Sequence, residues 1–359
     1  MPTVISGLLL ALIACCPSAS GLAATAEETV KKIASLSPAE RKAFLEDGAR
    51  KEGELVFYTS LSLTDYPKIL AAFESRYPFI KTNTYRSTPS GVFTRVDTEA
   101  RAGRYAADVV GSAPVEMWGL KKRNLSTAYL SPERRALPSG SYDPEGYWLA
   151  FEVTPLVLAL NTRLVLAGER PQSYQDLLNP KWKSKLSLGT EEYTWFNIML
   201  DHMGKKKGTE YMQALARQEL QMPGSSSVMR VQLMLAGESA IAIAARGRRV
   251  AEYKEKSAPI DFRILDPYGA EPNFTALMQR APHPCAAILF VDWMLSEEGQ
   301  TKISDAAGRI SIRKGIKHKP WVQELFQKEF VFLSPSSIGP NLNGIIDQYN
   351  QIFGIQRRR

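Results

Sequence analysis

The sequence predicts an α/β protein of two lobes, on three observations. Between Glu54 and Ala113 an apolar run, a loop of small hydroxyl residues and a helical pattern follow one another and then repeat, the order expected of parallel strands joined by helices. A long β-rich stretch, "GYWLAFEVTPLVLALNTRLV" at 146–165, then changes the character of the chain, and a second run of strands and helices begins. Finally, 359 residues with 44% hydrophobic and 23% charged side chains can fill two cores and do not have a disordered composition.

In chain order, "VISGLLLALIACC" followed by "PSASGLAA" reads as a secretory signal over residues 1–23, its apolar run being short for a membrane span, although "MPTVISG" lacks the usual Lys or Arg. Cleavage after Ala23 would use Gly21 and Ala23 as the small residues, while "LIAC" offers a competing lipoprotein route with Cys15 as the anchored residue. Either route is expected to export the protein. Outside Cys15 and Cys16 the chain keeps only Cys285, read as a small buried residue, so the folded body has neither a disulfide nor a cysteine zinc site. Residues 24–53 form a helical extension in which Ser37, Pro38 and Glu40 are a helix start.

The first lobe is expected over 54–155, with strands at "ELVFYTSLS", "IKTNTYR" and "AADVVGSA". Ligands of open parallel sheets collect beyond the carboxyl ends of the strands. The loops 59–62, 86–90 and 111–114 are therefore candidate ligand loops, with Ser60, Ser62, Arg86, Ser87, Ser90 and Ser112 as polar contacts. Hydroxyls and free N–H groups at helix starts suit an anion. The second lobe spans 156–265, with a short helix at "SYQDLLNPKW", a strand at "KLSLG", a helix pair, and "SSSVMRVQLMLAGESAIAIAARGRR" as helix then strand. The chain returns to the first lobe over 266–320, where "APHPCAAILFVDWMLSEEGQTKISD" reads as one amphipathic helix with Ala286, Leu289, Phe290, Trp293 and Met294 toward a core. Residues 321–359 are expected to be a helical segment packing across the lobes.

The 45 Lys+Arg against 37 Asp+Glu give a net charge of +8, scattered apart from "KKR", "KKK" and a terminal "RRR". With no zinc, helix-turn-helix or RNA-recognition motif, nucleic acid is not an expected partner. The concentrated exception is "AARGRRVAEY", with Arg246, Arg248 and Arg249 behind an apolar strand.

In order and spacing, "LVFYTSL", "FESRYPFIKTNTYRSTPS", "TEARAGRYAADVV", "YLSPERRALP", "GYW", "ALNTRLV", "SYQDLLNPKWKSKLSL", "AGESAIAI", "SAPIDF" and "APHPCAAILFVDWMLSEEGQ" resemble the iron-type group of bacterial extracellular solute-binding proteins, over about Gly53 to Ile312. The resemblance implies a two-lobed type II periplasmic binding protein that holds its ligand in the cleft between the lobes, closes on it by a hinge, and delivers it to the inner-membrane permease of an ABC importer. It implies a monomer with no cofactor and no catalysis. "ALNTRLV" looks like the first crossover, and "ILDPYG" to "APHP" like the return. The first-lobe ligand loops would then face Thr190, Glu191, Tyr193, Trp195, Ser226, Arg246 and Arg249 of the second lobe, with Tyr193 and Trp195 as an aromatic wall.

Ferric-ion binders of the group use a tyrosine pair after the strand following "AGE", with a His and a Glu from first-lobe loops in some members. Here the pair falls within "ARGRR", and the first-lobe positions are Leu61 or Ser62 and Ala113. Guanidinium repels a cation and engages carboxylate or phosphate through parallel hydrogen bonds. The expected ligand is an organic anion: a carboxylate, phosphonate or phosphate ester. A ferric-ion binder recruiting Tyr193, Tyr253 or Tyr268 with a synergistic anion is the alternative. A secreted hydrolase is a further one, for which the chain offers no G-x-S-x-G elbow and no well-placed Ser and His set.

Overall fold

The computed structural model describes residues 25–356, so the signal, Cys15 and the terminal arginines lie outside the described residues. Its strands are β1 Glu54–Thr59, β2 Lys81–Arg86, β3 Val109–Ser112, β4 Leu149–Asn161, β5 Leu186–Ser187, β6 Ile241–Arg246, β7 Ile260–Arg263, β8 Gly269–Leu277 and β9 Val331–Phe332. They hydrogen-bond in the order β2-β1-β3-β8-β4-β6-β5, with β7 added on β4 and β9 on β8. β1 is parallel to both β2 and β3, as the strand–loop–helix repeat predicts. The whole is nevertheless a mixed sheet, because β8 runs antiparallel to β3 and β4.

β4 joins the two halves. Its residues Leu149–Pro155 pair with β8, and from Leu156 onward it pairs with β6 and β7 instead. The change of partner therefore falls at Pro155–Leu156, upstream of the Ala159–Val165 segment expected to make the crossover. The period-2 alternation of a strand explains how one element serves two cores. Leu156, Leu158 and Leu160 enter the second-lobe core with Trp195, Phe196 and Ile243, while Val157 and Ala159 join the larger core that contains Phe57, Phe73 and Phe290.

The N-terminal extension is two helices, Ala26–Ala34 and Pro38–Glu52, each closed by a capping box, Thr25 with Glu28 and Ser37 with Glu40. The expected single helix after His283 is two, Pro284–Leu295 and Glu297–Ala307. The break is at Ser296, whose hydroxyl accepts from Gly299 N–H at 3.0 Å and donates to the Trp293 carbonyl at 2.8 Å. The first of the two is buried nearly all round rather than on one face, since Pro38–Glu52 packs across its outer side. "SYQDLLNPKW" forms two 3-10 turns rather than an α-helix, because Asn179 closes one turn and caps the next ahead of Pro180. Toward the C-terminus, Pro335–Ile338 packs on helix Pro114–Lys122 and Leu342–Phe353 packs on helix Tyr193–Met203.

Candidate functional site: the cleft between the lobes

Three first-lobe loops converge where the strand ends align. Ser60 N–H donates to the Gly111 carbonyl at 3.0 Å, and Ser87 N–H donates to the Thr59 carbonyl at 3.2 Å. On the second lobe, Thr190 N–H donates to the Gly224 carbonyl at 3.2 Å, and Arg246 N–H donates to Ser227 Oγ at 3.1 Å. Helices start directly from these loops at Tyr66, Pro89, Pro114, Tyr193, Ser227 and Gly247. Each start carries N–H groups without an intrahelical acceptor and the positive end of a helix dipole.

Between the lobes run β4 and β8, whose register opposes Glu152 to Asn273 and Thr154 to Glu271. Opposed residues share a face, so this ribbon presents a polar strip. Arg309 lies over one end of it, bonding Asp65 at 2.5 Å and Glu152 at 2.8 Å, and Asn273 also donates to Glu152. At the other end Arg246 bridges Glu192 and Glu271, both at 3.0 Å. Glu192 also binds Arg230, which is fully buried and donates to the Ile243 carbonyl at 2.7 Å.

The charges follow from these partners. Burial pulls the Arg246 guanidinium down, but Glu192 and Glu271 outweigh it and hold it above its ordinary value. Burial lowers Arg230, with Glu192 opposing, and raises the Glu271 carboxyl against the pull of Arg246. Asp65 is held below the ordinary carboxylate value: burial pushes it up, but Arg309, Ser62, Thr64 and Arg248 together prevail.

The residues named from the sequence fall into distinct groups. Ser60, Ser62, Ser87, Ser90 and Arg86 lie on the first-lobe loops, partly or well exposed. Ser62 Oγ is 3.0 Å from Thr64 Oγ1, and Ser90 Oγ is 3.4 Å from Thr88 Oγ1, Thr88 being the residue that caps its helix. Ser112 is fully buried, and in this conformation its hydroxyl lies beneath the surface rather than on it. Trp195 is likewise 1% exposed, packed in the second-lobe core with its indole N–H on Tyr174 Oη, so it forms no aromatic wall. Tyr193 stays half-buried, its ring edge-on to Tyr349 at 5.2 Å. Thr190 is half-buried and Glu191 exposed, while Ser226 uses its hydroxyl to cap helix Ser227–Ala236.

In the arginine segment the strand ends at Arg246 and a helix, Gly247–Glu255, begins at once. Helical spacing sends Arg248 and Arg249 in different directions, and Arg249 bonds Glu252 at 2.7 Å along its own helix. Tyr268 is 1% exposed and donates to the Leu325 carbonyl at 2.9 Å, and Tyr253 packs half-buried against the larger core. The adjacent Glu191 and Glu192 read from sequence as a solvated turn or a helix start; Glu192 does precede helix Tyr193–Met203 but is 1% exposed rather than solvated, and Arg230, Glu271 and Arg309 carry no signal in the sequence. A single chain gives no periodic signal for a charge whose partner lies dozens of residues away.

Two α/β lobes connected through β4 and β8, each with polar loops at its strand ends, define a periplasmic binding-protein architecture. The chain belongs to the bacterial extracellular solute-binding protein family, whose sequence profile it matches over residues 117–319. Among solved structures it is similar to a Trichodesmium protein in complex with iron and citrate, at 17% identity over 84% of this chain and 99% of that one, with a TM-score of 0.74. Iron-bound HitA of Pseudomonas aeruginosa matches at 18% identity over 83% and 99%, TM-score 0.71. The periplasmic binding protein AfuA of Actinobacillus pleuropneumoniae, with fructose-6-phosphate bound, matches at 23% over 85% and 99%, TM-score 0.68. At these identities the likeness establishes the fold.

Proposed function

We propose that the protein is the periplasmic solute-binding component of an ABC importer and captures a small organic anion, a carboxylate, phosphonate or phosphate ester, by closure of its lobes. The feature that supports this reading is the set of six helix starts that follow the strand ends of the two lobes, where N–H groups and dipole ends favour negative charge. Citrate and fructose-6-phosphate, named for two of the similar structures, are ligands of this kind. β4 and β8 pass between the lobes and provide the hinge, and the partner is an inner-membrane permease.

A thermal-shift screen of the mature protein tests this, using carboxylates, phosphonates and sugar phosphates beside ferric salts with and without citrate. A ligand at 100 times its dissociation constant stabilises by about 2.7 kcal/mol. Stabilisation by an iron-free organic anion is the expected result. Stabilisation by ferric salts alone, with a visible tyrosinate band, would replace this reading by a ferric one.

A further inference from the structure

We propose that Arg248, working with Arg86 from the opposite lobe, reads the anionic head of the ligand. This rests on the anion reading above and deepens it, because it selects one arginine of the cluster. The guanidinium groups at the cleft divide by what they already hold. Arg246 has a carboxylate on each terminal nitrogen, Glu192 and Glu271, and Arg309 has Asp65 and Glu152. Arg230 is buried against Glu192, and Arg249 is bonded to Glu252 on its own helix. In each of these a protein carboxylate already matches the charge, although N–H groups remain on the guanidinium.

Arg86 and Arg248 differ. Arg86 donates its Nε to the Leu61 carbonyl at 2.9 Å, and Arg248 donates one Nη to the Gly308 carbonyl at 3.3 Å; among the described residues neither forms an ion pair. A backbone carbonyl orients a guanidinium without neutralising it, and leaves the remaining N–H groups for another acceptor. Both lie near the same turn: Leu61, which holds Arg86, begins the loop that ends in Asp65, and Arg248 holds the carbonyl of Gly308, whose neighbour Arg309 pairs with Asp65. Asp65 does not satisfy Arg248, since one of its oxygens is on Arg309 and the other accepts from Thr64. Burial lowers the Arg248 guanidinium, and Arg309 and Arg249 lower it further against the pull of Asp65 and Glu152. With a backbone carbonyl and no carboxylate on it among the described residues, the half-buried guanidinium keeps N–H groups for an incoming oxyanion.

The ligand chemistry this fits is a compact oxyanion head, one carboxylate or phosphoryl group, gripped by one fork from each lobe. Held that way, the head links the two jaws.

Isothermal titration of the mature protein with citrate, inorganic phosphate and methylphosphonate tests the assignment. For whichever probe the wild-type protein binds, Arg248→Gln weakens binding at least tenfold. Arg248→Lys remains weakened, because an ammonium keeps the charge but not the fork. Arg249→Gln, whose side chain lies along its own helix, leaves the affinity within twofold. Melting curves without ligand establish that each variant is folded, and Arg86→Gln at an exposed position repeats the test from the other lobe. Wild-type affinity in Arg248→Gln, or an equal loss in Arg249→Gln, overturns the assignment while leaving the anion reading intact. If the wild-type protein binds none of the three and no anion stabilises it, the anion reading itself falls, and the assignment with it.

Discussion

Glu192 is the most consequential charge in the second lobe, and Glu192→Ala shows why. Its carboxylate is 1% exposed and accepts from both Arg230 and Arg246. Removing it leaves Arg230, itself 0% exposed, with the Ile243 carbonyl as its one remaining acceptor among the described residues and with a buried Nε that has no partner among them. Breaking a buried pair by deleting one member costs about 3–5 kcal/mol, most of it the stranded charge. Arg246 retains Glu271 and adds little to that cost. At about 2 °C per kcal/mol for a chain of this size, the melting temperature falls by about 6–10 °C. The assay is thermal unfolding followed by far-ultraviolet circular dichroism, with urea unfolding as a check. Glu192→Leu combined with Arg230→Met removes both charges at similar volume and recovers most of the loss. A loss below about 1 kcal/mol in Glu192→Ala would refute the argument, since it would mean that Arg230 reaches water or another acceptor.

Two further predictions concern pH. Burial pushes the Glu116 carboxyl, in the first turn of helix Pro114–Lys122, up from 4.5 to about 7. A carboxyl that holds its proton more tightly folded than unfolded makes stability fall as pH rises from about 4.5 to about 7, so Glu116→Gln melts above the wild type at pH 8 and loses that advantage at pH 4. His283 is raised above its ordinary 6.5, first by its hydrogen bond to Asp108 at 2.9 Å and then by that residue's charge. Its contribution is complete below the unfolded value and is lost as pH rises through the folded one; His283→Gln flattens the melting profile over that window, and an unchanged profile would exclude the pair as its source.

The first lobe was legible because its signals are local. "ELVFYT" and "KTNTYR" are β-formers bounded by turn residues, and Ser37 with Glu40 marks a helix start within four residues. The arginine segment was legible only in part. A run of alternating Ile and Ala reads as a strand, but nothing in "ARGRR" says that the strand stops at Arg246, and that stop decides which arginines share a direction. Trp195 illustrates the other limit: an aromatic residue near a polar loop suits either a ligand wall or a core, and the choice falls to the distant Tyr174 that receives its N–H. The charge network was illegible, since Glu192 with Arg230 and Arg309 with Asp65 become neighbours only after the sheet has formed.

The sharing of β8 between the halves also bears on the order in which the molecule assembles. Val109 finds its register partner in Leu277, and everything from β4 to β7 is made between them. As the chain emerges from synthesis or export, β1, β2 and β3 can associate early, but that small sheet keeps an open edge until residue 277 arrives. Long-range pairing of this kind is slow, because its loop-closure entropy is spent before the contacts form. The half that begins first is therefore the half that finishes last, and the exposed edge of β3 is the stretch most in need of protection in the interval.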